Sequence, residues 1–222
     1  MHSVVEQLNF IKRKVNNIVS EKQLKTHPKI IVVSKTFSLS KVMPLLEIGH
    51  IHYGENKVQE AESKWTKIKY EYKNLKLHMI GKLQTNKAKN ALKLFDYIHS
   101  LDNEKLALKL SRSEQELGKK IKFFIQVHLG DESHKSGISL NRLDDFYNYC
   151  SKELSLNIIG LMCLPPMSSN SEKYFKILKE NNAKLNLDEL SMGMSSDFKE
   201  AVLNSSTYLR IGTLILGKRN LI

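Results

Sequence analysis

The chain has 222 residues, 41% of them hydrophobic, with two cysteines and a formal net charge of +12 from 35 basic and 23 acidic residues. That length suits one large domain or two small ones; no window is long and apolar enough to span a membrane, and the spaced apolar residues of the opening MHSVVEQLNFIKRK argue against a secretory leader. The lysines are spread along the whole chain, with no dense basic block, zinc motif or aromatic-basic recognition signature. The charge therefore reads as a solvated surface, not a nucleic-acid interface, and its field favours anionic small ligands.

Val4, Leu8, Ile11, Val15 and Ile18 step by four, three, four and three, which predicts an amphipathic helix over residues 1–20. Eight strand-like runs follow: Lys29–Ser34, His50–Tyr53, Leu77–Ile80, Tyr97–Ser100, Lys122–His128, Asn157–Cys163, Glu189–Met192 and Tyr208–Leu216. Between them lie helical patterns over Ser40–Ile48, Lys57–Glu71, Asn86–Leu94, Asn103–Leu117, Leu140–Lys152, Ser171–Leu185 and Asp197–Leu203. Eight β–α repeats in a chain of this size predict an α/β fold. The architecture is a single-domain (β/α)8 TIM barrel over residues 29–216 with an extra N-terminal helix, the whole of 1–222 forming one domain. An open doubly wound sheet would want a glycine-rich turn after its first strand, and Ser34-Lys35-Thr36-Phe37-Ser38 has no glycine. Cys150 and Cys163 form no CxxC pair and suit free thiols in a reduced, cytoplasmic setting.

Barrels gather their chemistry at the carboxyl ends of the strands. There the sequence offers Lys35, Gly54-Glu55-Asn56, Gly81, His128, Met162-Cys163, Met194-Ser195-Ser196 and Gly212-Thr213. The loops after strands seven and eight of a barrel often bind phosphate. Gly193-Met194-Ser195-Ser196-Asp197 lies after strand seven, where Asp197 and Glu200 suggest a capping box. Arg210-Ile211-Gly212-Thr213 lies in strand eight. Either alone reads as structure; together they read as a phosphate site. Closure sets strand eight beside strand one and so brings Lys35 near Arg210 and these loops. An amine beside a second cation has its pKa lowered, and a neutral amine is what condensation with an aldehyde requires. A phosphorylated aldehyde, pyridoxal 5′-phosphate, follows as the expected cofactor.

The chain resembles the YggS/PROSC group of pyridoxal-phosphate-binding proteins, related to the N-terminal barrel of alanine racemase. The matching segments run in family order: Val32-Val33-Ser34-Lys35-Thr36, Tyr53-Gly54-Glu55-Asn56-Lys57-Val58-Gln59-Glu60, His78-Met79-Ile80-Gly81-Lys82-Leu83-Gln84-Thr85-Asn86-Lys87, Asp131-Glu132-Ser133-His134-Lys135-Ser136-Gly137, Gly160-Leu161-Met162, Ser191-Met192-Gly193-Met194-Ser195-Ser196-Asp197 and Arg210-Ile211-Gly212-Thr213. The resemblance implies that Lys35 forms the internal aldimine. It also implies that Ser195, Ser196, Gly212 and Thr213 hold the phosphate, that Arg210 faces the pyridine nitrogen and that Asn56 lies near the ring. Met162 reads first as core, though its strand-end position lets it touch the cofactor. The closing Leu216-Gly217-Lys218-Arg219-Asn220-Leu221, Leu77 before His78, and His128 depart from the family pattern.

The implied function is intracellular pyridoxal-phosphate homeostasis: cofactor held as a lysine aldimine and passed to cofactor-accepting apo-enzymes, with little or no catalysis. The alternative is an amino-acid racemase. Against it stands the expectation that no second domain supplies the opposite-face acid or base, Tyr53 and Tyr208 reading as packing residues. A monomer with no membrane or nucleic-acid partner is expected. His50 and His52, two apart on one strand, are expected to be ordinary packed or exposed histidines, and Glu132 and Lys135 a solvated loop pair. Gly212–Lys218 only mimics a phosphate-binding loop, because Arg219 replaces the Ser/Thr.

Overall fold

The computed structural model describes residues 3–130, 136–166 and 170–218. In chain order the helices are α1 (Val4–Glu21), α2 (Leu39–Glu47), α3 (Val58–Glu71), α4 (Ala88–Leu94), α5 (Glu104–Leu117), α6 (Leu143–Asn148), α7 (Ser171–Lys184), α8 (Phe198–Leu203) and α9 (Thr213–Leu216). The strands are β1 (Lys29–Val33), β2 (His52–Glu55), β3 (Lys76–Met79), β4 (Tyr97–Leu101), β5 (Lys122–His128), β6 (Ile138–Ser139), β7 (Ile158–Cys163), β8 (Glu189–Ser191) and β9 (Tyr208–Ile211). Every pairing is parallel, in the order β4-β3-β2-β1-β9-β8-β7-β5, and a β4–β5 pairing closes the ring. The two-residue β6 is an addition the sequence did not signal; it lies against the end of β5. The result is the expected eight-stranded (β/α)8 barrel with its N-terminal helix.

The period-two alternation of the strands sorts side chains into two layers. Ile30 and Val32 join the large apolar cluster shared with the helices, whereas Ile31, Tyr97, Phe124, Met162 and Tyr208 form a separate cluster. Tyr208 of β9 touches the rings of Tyr97 on β4 and Phe124 on β5, strands across the ring from it, so this second cluster is the barrel interior. Helix α1 starts with a capping box, Ser3 Oγ accepting from Glu6 N–H (3.1 Å) and Glu6 Oε2 accepting from Ser3 N–H (2.7 Å). It buries Leu8, Ile11, Val15 and Val19 against α2, α8 and α9, while Ile18 is half-buried.

Among the element boundaries that differ from expectation, two change which residues share a strand. The last strand stops at Ile211 instead of running to Leu216, because its last partner on β1 is Val32. From Gly212 the chain turns helical, with Ile215 and Leu216 N–H groups donating to Gly212 C=O (3.0 and 2.8 Å) and both side chains buried. The second strand starts at His52, not His50. Gly49, at φ +78°, lets the chain leave α2 in a conformation that costs other residues energy, and His50 N–H closes that helix end on Leu45 C=O (3.0 Å). His50 and His52 therefore do not share one strand face. The capping box at α8 is absent as well: Asp197 is the N-cap by position, but its Oδ1 accepts from Met194 N–H (2.6 Å). Both cysteines are buried and free, and burial pushes each thiol up to about 12. Among the described residues no helix is long and apolar enough to cross a membrane.

Candidate functional site

Lys35 stands two residues beyond β1 at the carboxyl-end rim of the barrel, and its neighbours on both sides are tied down. Ser34 N–H continues the ladder to Gly54 C=O (3.0 Å), and Ser34 Oγ donates to Glu55 Oε1 (2.8 Å). Lys64, from α3, donates to the Ser34 carbonyl and to Glu55 Oε1, both at 2.9 Å. Trp65 Nε1–H adds a third donor to the same oxygen at 2.9 Å. On the other side Thr36 N–H donates to Glu60 Oε1 (2.6 Å), and Thr36 has the left-handed φ of +67°. That conformation is uncommon for a residue with a Cβ, and for a β-branched one it stores strain, so it persists only where the surroundings over-determine it. Here α3 supplies those surroundings. Glu55 is fully buried and the Lys64 side chain is 8% exposed, so the pair that anchors the turn is out of solvent.

Lys35 opens into a cavity of about 370 Å³ whose walls include Asn56, Gly81, Gln126, His128 and Leu164. Asn56 Oδ1 is a buried oxygen with no hydrogen-bond partner among the described residues. Gly81 is there because of close approach: a Cβ would sit 2.5 Å from the Asn56 carbonyl oxygen. A second hollow of about 460 Å³ shares Asn56 and Gly81 and is bordered by Lys57, Lys82 and Lys87. Gln126 Nε2 donates to Ser136 C=O (2.9 Å), fixing one wall.

Of the other expected residues, Arg210 lies inside the barrel, 4% exposed. Its Nη1 donates to Ser191 Oγ (2.6 Å) and its Nη2 to Cys163 C=O (2.8 Å), the residue before the cavity-lining Leu164. Burial pulls its pKa below the usual value, yet a guanidinium starts high enough to stay charged. Ser195 and Ser196 lie in the β8–α8 loop, and Gly212 and Thr213 follow β9, the strand paired with β1. Gly212 packs on Val33, where a Cβ would meet that residue at 3.3 Å. Among the described residues the amides of Ser195, Ser196 and Gly212 meet no acceptor, and Thr213, at the start of α9, has the unmatched N–H of any helix start. Met162 does not line the cavity; it is fully buried in the interior cluster. Glu132 and Lys135 lie outside the described residues, as does Arg219. Tyr53 and Tyr208 are both buried side chains, as packing residues would be.

Sequence reasoning missed the Glu55–Glu60–Lys64–Trp65 cluster, although Glu55 sits inside a quoted segment and Lys64 and Trp65 lie nine and ten residues further on. It treated His52 as an ordinary packed or exposed histidine and named His78 only within a quoted segment, and so missed that both join His99 in one hydrogen-bonded line. The available signal was a polar residue at the inward phase of strands that are otherwise apolar.

These features make a closed parallel barrel with a lysine just past its first strand and, among the described residues, backbone amides without acceptors after its last two strands. The family model described as alanine racemase, N-terminal domain, matches residues 8–220, and the chain belongs to that family. A relative from Haemophilus influenzae named pyridoxal phosphate homeostasis protein is 31% identical over 98% of this chain and 97% of its own length. One of the same name from Aquifex aeolicus is 34% identical over 86% of this chain and 87% of its own. Among solved structures, PipY of Synechococcus elongatus PCC7942 with PLP bound is 32% identical, covering 91% of this chain and 100% of that one at a TM-score of 0.80. An alanine racemase from Clostridium difficile 630 shares the fold at 12% identity and a TM-score of 0.69, covering 96% of this chain and 56% of that one.

Proposed function

We propose that this chain binds pyridoxal 5′-phosphate and serves its homeostasis, holding the cofactor through Lys35 and passing it to apo-enzymes, with little or no catalysis of its own. The observation that carries the reading is Lys35 on a braced turn, facing a cavity that Asn56 also lines. The cavity is in the size range of small-ligand sites. Open amides after β8 and β9 suit a phosphate dianion. Met162 supports the site from the interior layer instead of lining the cavity.

When bound, pyridoxal phosphate supplies an aldehyde that condenses reversibly with an amine. The remaining work belongs to the chain. Ser195, Ser196, Gly212 and Thr213 bind the phosphate with backbone N–H groups, so that the anion is held without a deep cation pair and stays exchangeable. Asn56 orients the ring. Arg210 has donors only, so a ring nitrogen facing it is held as an acceptor, without a proton. That weakens electron withdrawal and suits carriage better than carbanion chemistry. The protein acts as a monomer in the cytoplasm, and its partners are the apo-enzymes it loads.

The test is transfer. The loaded protein is mixed with an apo-enzyme that depends on the cofactor, and recovery of that enzyme's activity is followed beside solvent deuterium exchange at the α-carbon of added amino acids. Recovery with no exchange supports the carrier; exchange lost in Lys35→Ala would establish the racemase instead.

A further inference from the structure

Resting on the reading that Arg210 faces the cofactor, we propose that Ser191, His99, His78 and His52 form one directional hydrogen-bonded chain that positions the Arg210 guanidinium from the far end of the barrel. The contacts are continuous. Arg210 Nη1 to Ser191 Oγ is 2.6 Å, Ser191 Oγ to His99 Nδ1 is 2.8 Å, His99 Nε2 to His78 Nδ1 is 2.9 Å, and His78 Nε2 to His52 Nδ1 is 3.0 Å. Five groups from β9, β8, β4, β3 and β2 are joined across the interior.

The polarity follows from the first donor. A guanidinium cannot accept, so Ser191 Oγ accepts from it. Among the described residues the only partner left for the Ser191 hydroxyl hydrogen is His99 Nδ1. His99 must then carry its proton on Nε2 and donate to His78, which by the same rule carries Nε2–H and donates to His52. The reverse polarity would leave the buried Ser191 hydrogen without an acceptor, which is costly. Aromatic packing fixes the ring planes: Tyr97 stacks on His78 and Phe124 on His99, each at 4.3 Å, and Tyr208 lies 5.6–6.0 Å from all three imidazoles.

The surrounding charges are consistent with neutral rings. Lys29 and Lys76 face His52 with Asp96 opposing them, Lys29 and Lys69 act on His78, and Arg210 acts on His99. Burial is the largest cause and holds all three below the usual histidine range. His52, first residue of β2 and half-buried, is the outlet at the amino-end rim. The four are positioning residues; none is assigned contact with the cofactor.

The test begins on cofactor-free protein labelled with 15N-histidine. Long-range proton–nitrogen spectra should show His78 and His99 as Nε2–H tautomers that do not change between pH 8 and 6. An Nδ1–H tautomer at either residue, or titration of both in that range, overturns the proposal whether or not any variant folds. Ser191→Ala should alter the His99 signals and, after loading, release pyridoxal phosphate about tenfold faster, the scale of one charge-assisted contact. Arg210→Met separates the two readings. If it speeds release while Ser191→Ala does not, the positioning chain is refuted and the role of Arg210 stands. If Arg210→Met leaves release unchanged, the reading of Arg210 itself fails.

Discussion

Replacing Lys64 with methionine removes one end of the brace under Lys35 while keeping nearly the same volume. Lys64 Nζ lies 2.9 Å from Glu55 Oε1, 2.9 Å from the Ser34 carbonyl and 3.6 Å from Glu60. Glu55 is 0% and Lys64 8% exposed, so solvent screens the pair little, and Lys64→Met leaves a buried carboxylate whose donors among the described residues are the neutral Ser34 and Trp65. Breaking such a pair costs about 3–5 kcal/mol, which for a chain of this size lowers Tm by about 6–20 °C. Removing both charges should cost much less than the sum: Lys64→Met with Glu55→Gln should show a coupling of about 2 kcal/mol or more. Urea unfolding followed by circular dichroism and by emission of the single tryptophan, Trp65, measures each variant. The loosened Ser34 carbonyl should also speed cofactor release. A single-variant loss under about 1 kcal/mol, or additivity within about 0.5 kcal/mol, would refute the claim that this pair anchors the turn.

Acid should destabilise the protein. His50 and His52 are lowered to about 4, mainly by burial, and His78 and His99 lie well below their usual value for the same reason. With folded pKa values below the unfolded 6.5, the unfolded chain binds more protons, so stability is complete above pH 6.5 and is lost as pH falls toward 4. For the well-buried His50 that is about 3 kcal/mol at 1.36 kcal/mol per pH unit; a urea midpoint that stayed flat from pH 7.5 to 4.5 would contradict this. Gly81→Ala would place its Cβ 2.5 Å from the Asn56 carbonyl oxygen, so Asn56 must shift. Cofactor affinity measured by equilibrium titration should fall about tenfold or more, with unfolding affected by about 1–3 kcal/mol. Trp65→Phe removes a donor to the buried Glu55 and should cost about 2 kcal/mol, measured by thermal melting.

The barrel was legible because eight apolar runs alternate with helical periods, and strand phase survives errors of a residue or two at the ends. What failed was local. Ile211–Leu216 is a continuous apolar run, and such a run does not distinguish a strand that continues from a helical turn that buries Ile215 and Leu216. The sequence alone puts His50 in a strand because nothing in it shows that Gly49 ends α2 with positive φ. The rim residues Lys35, Asn56, Ser195 and Gly212 could be named because each follows a strand. The brace could not, because Glu55, Glu60 and Lys64 converge on Ser34 and Thr36, the neighbours of Lys35, only once α3 is docked. The histidines were invisible as a group for the same reason, since 26 residues separate His52 from His78 in sequence and 3.0 Å separates their ring nitrogens in space.

The central claim is that Lys35 holds pyridoxal phosphate. The direct measurement is to load the protein with pyridoxal phosphate, reduce it with borohydride, digest it and locate the modified residue by peptide mass. A pyridoxyl group on Lys35, absent in Lys35→Ala, is the predicted result. A loaded, coloured protein whose label falls on another lysine, or no label at all after loading, would contradict it.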